Sequence, residues 1–296
     1  MIALNLLAGL ILSVNGVIHD CNNEVVNYIN VTGSDITVQN CRVSDSGVGT
    51  NTVSVWGNRN TLRHLTVERF GGSGVYFFEG DGHVLEDSII RDPIRRKGRD
   101  SWSVAVNQTT NLTVQRVTAY GSGLTQWGGD SRGTRILNNT FIVPDDYRTN
   151  CKGVIQRDGP CQCAEFGVAL KRSTDTLIEG NTLSGYLKAD PECGGTGTPG
   201  AGIATSADAE ATGVFTHTLT IRNNVIRDSH NGLYTGPKTV DSVVEGNLFC
   251  DNDYGISDGY SVNARYTDND FYNSPVNFYN NRPESETGSR KVRGCD

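Results

Sequence analysis

Methionine occurs once in 296 residues, and no stretch beyond residue 14 is apolar and long enough to cross a membrane. A chain so poor in Met, yet holding 35 glycines and many asparagines, favours tight turns between short strands over helices. Positive charge is also in short supply. Lys and Arg number 26 against 33 Asp and Glu, and the net charge of −7 excludes bulk affinity for nucleic acid. Zinc-ligand spacing is missing too: Cys161 and Cys163 stand one residue apart, and no second pair answers them. With 36% hydrophobic and 20% charged residues, the chain is neither disordered nor membrane-embedded, and it reads as one domain over 1–296.

What is present is cysteine in an even number: Cys21, Cys41, Cys151, Cys161, Cys163, Cys193, Cys250 and Cys295. That count favours disulfides and a secreted or extracellular protein, although the spacing does not choose the pairing. Sequons stand at Asn30, Asn107, Asn111 and Asn138. Residues 1–16 are either a signal segment without a basic start or the first turn of the repeat.

The repeat sets the fold. A short motif of alternating apolar residues recurs as Ile36-Thr37-Val38-Gln39-Asn40, Thr61-Leu62-Arg63-His64, Val84-Leu85-Glu86-Asp87 and Leu112-Thr113-Val114-Gln115-Arg116. Later copies end at Asn139, Asn181, Asn224, Asn247 and Asn269, and Asn15 is taken as the first of the column. Successive ends lie 22 to 29 residues apart, except for two gaps of 42 and 43 that contain insertions. Such regularity predicts an all-β, right-handed parallel β-helix of about nine or ten rungs. Strands of four to six residues would point alternate side chains into a stacked core. The column Asn would sit at a bend and bond to its neighbours above and below. Insertions are expected near 93–101, 144–165 and 187–215.

A second strand, often led by Gly, precedes each copy: Gly74-Val75-Tyr76-Phe77-Phe78, Gly167-Val168-Ala169-Leu170-Lys171, Gly202-Ile203-Ala204-Thr205, Gly232-Leu233-Tyr234-Thr235 and Gly255-Ile256-Ser257. With both strands in place, nearly the whole chain resembles the pectin-lyase-like superfamily of parallel β-helices. That superfamily holds polysaccharide lyases, glycoside hydrolases, uronate epimerases, tailspikes and non-enzymatic surface proteins, so the resemblance implies a fold before a function.

The resemblance implies sugar binding on the outer face of one parallel sheet. Reading outward positions of the Gly-led strand places Trp56, Tyr76 and Phe78 as a stacking surface for pyranose rings, followed by Asn107, Gln126, Lys171 and Tyr234. Lys171 matches the base that similar lyases use for β-elimination, with Arg132 and Arg172 as partners for a uronate carboxylate. Asp130, Gln126 and Asn107 are candidate groups to orient sugar hydroxyls or bind Ca²⁺. The Asp251-Asn252-Asp253 and Asp268-Asn269-Asp270 triplets are further Ca²⁺ candidates that fall where turns are expected. Arg95, Arg96, Lys97 and Arg99 form a basic cluster suited to an anionic polymer.

Two relatives' patterns are incomplete. The stretch from Glu165 resembles polygalacturonases, but Phe166 replaces their second Asp and no Gly-His-Gly follows. Asp92-Pro93 continues with Ile94-Arg95, not the His-Asp of mannuronan epimerases. His83, His217 and His230 show no partner in the sequence. The expectation is therefore an extracellular lyase acting on an acidic polysaccharide, catalysed by Lys171, Arg132 and Asp130. The competing expectation is a non-catalytic sugar-binding, adhesive or tailspike-like β-helix, with a glycoside hydrolase or uronate epimerase as a further alternative.

Overall fold

The computed structural model describes residues 9–44, 51–94, 101–127, 129–145, 147, 166–187, 200–205, 216–236, 239–259, 261–278 and 286–295. The chain coils through three parallel sheets in strict rotation, forming a right-handed parallel β-helix. The first sheet runs from Leu10–Leu12 to Val276–Phe278, the second from Ile18–Asp20 to Glu286–Thr287, and the third from Val25–Val26 to Arg290–Lys291. Each visits eleven rungs along its main path, one more than the upper expectation. The extra rung is the last, where Glu286-Thr287-Gly288 repeats the turn without the apolar alternation that marks earlier copies. At about 4.8 Å per rung, ten intervals make a rod roughly 48 Å long.

Inward side chains stack by identity along the rod. Val38, Leu62, Leu85, Val114, Ile136, Ile178, Ile221 and Val244 share one column of the second sheet, all fully buried. Phe249 and Phe271 stack in the third sheet with ring centroids 5.2 Å apart. Glycine leads the strands of the first sheet because that corner faces the core of the third. A Cβ on Gly255 would lie 2.7 Å from Phe271 Cδ1, and one on Gly74 would lie 2.7 Å from Ile90 Cγ2.

The bend between the second and third sheets differs from the single column expected. It is two adjacent columns. The first holds residues with positive φ: Asn40, His64, Asp87, Arg116, Asn138, Gly180, Asn223, Gly246, Asp268 and Gly288. The second is a buried ladder of Asn139, Asn181, Asn224, Asn247 and Asn269. In the ladder each backbone N–H donates to the side-chain oxygen of the next Asn, at 2.9 to 3.0 Å. Each Asn amide also donates to a backbone carbonyl of the preceding rung, as Asn181 does to Ile136 O. Asn15 belongs elsewhere. Its Oδ1 accepts from Ser34 N–H at the corner between the first and second sheets, starting a line that continues through Ser34, Asn58 and Asp81.

Two disulfides lie among the described residues, Cys21–Cys41 and Cys250–Cys295. The other four cysteines and the basic cluster 95–99 lie outside them. The stretch 187–215 is not one insertion, because Ala201–Thr205 within it is a strand of the first sheet. No helix among the described residues is long and apolar enough to cross a membrane.

Candidate functional site

The first sheet presents two outward columns. One reads Ser54, Tyr76, Ala105, Thr125, Ala169, Ala204, Tyr234 and Ser257 in unbroken register. The other lies at the strand ends. There Phe78 N–H donates to Val55 O, Asn107 to Phe77 O, Trp127 to Val106 O and Lys171 to Gln126 O, all within 3.1 Å. These bonds place Trp56, Phe78, Asn107, Trp127 and Lys171 on five consecutive rungs.

The aromatic groups of this face touch. Trp56 and Phe78 have ring centroids 5.7 Å apart, and Tyr76 packs edge-on to Phe78 at 5.6 Å. Burial holds the Tyr76 hydroxyl above the usual phenol pKa, partly offset by a hydrogen bond with Asn107. Four small outward residues, Ala105, Thr125, Ala169 and Ala204, are at most 5% exposed, so the floor between Tyr76 and Tyr234 is recessed. Every described outward residue of this sheet from Ser54 onwards is uncharged except Lys171.

Gln126 is a correction. It is in register with Val106 and Leu170, points inward, and is fully buried. The outward residue of that rung is its neighbour Trp127, which is 48% exposed and was missed. The alternation Leu124, Gln126 carried the signal, but a polar residue at an inward position disguised it.

Arg132 and Asp130 lie beyond the turn that follows Trp127. Arg132 points outward from the second sheet, where its Nε donates to Asp175 Oδ2 at 2.7 Å. Asp130 is exposed just before that strand. Arg172 follows Lys171 directly, and its carbonyl accepts from Ser131 N–H. Lys171 and Arg172 therefore share the edge of the first sheet, while Arg132 is held on the neighbouring face by Asp175.

Each of the three histidines does have a partner. His83 is fully buried between Asn60 N–H and Glu79 O. His217 Nε2 lies 3.1 Å from Thr174 Oγ1. His230 Nδ1 lies 2.7 Å from Asp253 Oδ2, with its ring edge-on to Tyr254. Sequence separation of 23 to 43 residues hid these contacts, since they arise only from the rung stacking.

The Asp triplets are parts of the bends. Asp251 and Asp268 take positive φ, Asn252 and Asn269 are buried in side-chain ladders, and Asp270 binds Arg290. Among the described residues no group of three or more His, Cys, Asp or Glu converges to hold a metal ion.

Comparison with known proteins follows the fold closely and the sequence hardly at all. A surface adhesin of Streptococcus pneumoniae, PfbA, superposes with a TM-score of 0.60 at 13% identity, covering 89% of this chain and 71% of its own. The catalytic domain of a GH87 α-1,3-glucanase in complex with nigerose gives 0.59 at 14%, covering 96% and 55%. The Dettilon tailspike protein gives 0.58 at 11%, covering 84% and 48%. The chain thus spans about half the length of the tailspike and the glucanase. No curated protein matches.

A family model described as "Periplasmic copper-binding protein (NosD)" matches residues 104–289. Among the described residues no three His, Cys, Asp or Glu converge, which does not fit a copper ion. His83 and His217 have both ring nitrogens facing protein atoms, Asp253 takes Nδ1 of His230, and the four described cysteines are joined in disulfides. The match nonetheless extends over well more than half of the chain and coincides with the rungs from Val104 to Ser289, and on that ground the chain belongs to the NosD family.

Proposed function

We propose that this protein works outside the cytoplasm as a carbohydrate-recognising β-helix, holding a polysaccharide against the outer face of its first sheet. The observation that carries this reading is the five-rung column Trp56, Phe78, Asn107, Trp127 and Lys171, backed by Tyr76 and Tyr234. Aromatic faces stack on the C–H faces of pyranose rings, while an amide and an ammonium supply hydrogen bonds to hydroxyls or carboxylates. The glucanase, the tailspike and the adhesin of similar fold are compatible with such a role. Disulfides and the family's periplasmic description support the location.

The test is a binding panel of neutral and acidic polysaccharides, with Trp56→Ala and Trp127→Ala beside the wild type. Binding to at least one polymer, weakened about tenfold by either substitution, supports the reading; about 1.4 kcal/mol corresponds to that factor. Equal binding by wild type and both variants, or none at all, overturns it.

A second reading rests on Lys171 and Arg172 at the edge of the same face. In it the polymer carries uronic acid, and Lys171 removes the proton beside the carboxylate. Arg172 holds that carboxylate as negative charge develops on it. The electron pair forms a carbon–carbon double bond as the glycosidic oxygen departs and takes up a proton. Hydrolysis is less suited to this face, which offers no pair of carboxylates among its described outward residues. An ultraviolet assay for unsaturated uronate on pectate, alginate and glucuronan, with and without added Ca²⁺, separates the two readings. A rise that Lys171→Ala abolishes establishes the lyase, and a flat trace leaves recognition alone.

A further inference from the structure

At the corner between the first and second sheets, the interior changes from apolar to hydroxylated. One inward column there reads Thr109, Ser131, Ser173, Thr216 and Thr239 on successive rungs. Beside it stand Gln126, Thr205 and Thr235 in one column, and Thr134, Thr176 and Ser242 in another. All eleven side chains are at most 1% exposed.

Some of these groups satisfy one another. Ser173 Oγ bonds to Thr176 Oγ1 and reaches Gln126 Oε1 at 3.4 Å, and Thr205 Oγ1 meets Thr239 Oγ1 at 2.7 Å. Thr109 Oγ1, Gln126 Nε2, Thr134 Oγ1, Thr216 Oγ1 and Ser242 Oγ have no hydrogen-bond partner, while Thr235 Oγ1 lies by the Tyr266 hydroxyl. A buried polar group left unpaired costs about 1–3 kcal/mol, and native interiors seldom leave several together. Within this stretch Leu170 and Leu219 interrupt the two flanking columns, so the unbroken polar column is the one from Thr109 to Thr239.

We propose that this corner binds a file of internal waters running along the rod from the Thr109 rung to the Ser242 rung. The ligand is water because the lining consists of neutral hydroxyls and one amide, which give and accept hydrogen bonds without charge. The file lies directly inside the strand ends that carry Trp127 and Lys171. It is independent of what those residues bind.

The experiment counts long-lived internal waters by ¹⁷O relaxation dispersion and locates them in a high-resolution crystal structure, for the wild type and Thr216→Val. Valine keeps the shape and removes the hydroxyl. The expected result is ordered water within hydrogen-bonding distance of at least three of the five unpaired atoms, with one water fewer in Thr216→Val. A corner without long-lived water, or an unchanged count in the variant, overturns the proposal. Thr134→Val gives the same readout should Thr216→Val not fold.

Discussion

His83 does in its rung what Asn60 does in the rung before. The Asn60 side-chain oxygen accepts from Ile36 N–H at 2.9 Å, and its amide donates to Trp56 O, four residues earlier. His83 Nδ1 accepts from Asn60 N–H at 3.3 Å, and Nε2 lies 3.0 Å from Glu79 O, again four residues earlier. A ring nitrogen facing an N–H must be unprotonated, so the partners fix the neutral Nε2–H tautomer.

That tautomer makes the rung sensitive to acid. Burial holds the His83 pKa below the ordinary histidine value, outweighing the opposing pull of the Glu79 carbonyl and Asp81. The group binds a proton more readily unfolded than folded. Its stabilisation is therefore complete above the unfolded pKa of about 6.5 and is lost as pH falls below it towards the lowered folded value. Urea midpoints of the wild type should fall, as pH drops below about 6.5, more steeply than those of His83→Asn, which restores the ladder residue. Parallel curves would refute this.

The Asn ladder should be sensitive in its middle. Asn181 accepts from Asn139 N–H, so Asn181→Ala leaves that donor buried and unpaired. A loss of about 2–4 kcal/mol is expected by chemical denaturation. Asn138→Ala, one residue before Asn139 but exposed and at φ 53°, should cost about 1–2 kcal/mol, through backbone strain alone.

Glycine at the sheet corner is a steric requirement. Gly255→Ala would press a methyl group against Phe271 and Ser274, and overpacking of this kind costs about 1–3 kcal/mol. Adding Phe271→Leu should recover part of the loss in thermal unfolding. A double variant no better than the sum of the two singles would locate the clash elsewhere.

Trp127→Ala should leave the fold intact, because the ring is half exposed and its neighbour Gln126 supplies the buried contact. Circular dichroism and the melting temperature should match the wild type while polysaccharide affinity drops. A substantial loss of stability would show that the ring packs and does not merely present a surface.

The repeat was legible because spacing between apolar residues survives insertions, as the strands around Val84, Thr113 and Thr220 show. Which column a polar residue occupies was not. Asn138-Asn139 and Asn223-Asn224 put the same residue type at the exposed bend and in the buried ladder, and only φ and burial separate them. Lys171, Tyr76 and Tyr234 stood out as polar or aromatic residues between inward apolar ones. Gln126 broke that rule from inside the core, and so concealed Trp127.

The two described disulfides bear on how the rod carries mechanical load. A solenoid pulled lengthwise peels from its outermost coils, since each coil is held by one neighbour. Cys21–Cys41 rivets the first coil to the second, and Cys250–Cys295 clamps the trailing end to the ninth. Tension applied outside these clasps must pass through sulfur before it reaches the interior stack. A tethered molecule would then rupture cooperatively in its middle under oxidising conditions, and unwind coil by coil from both extremities once reduced.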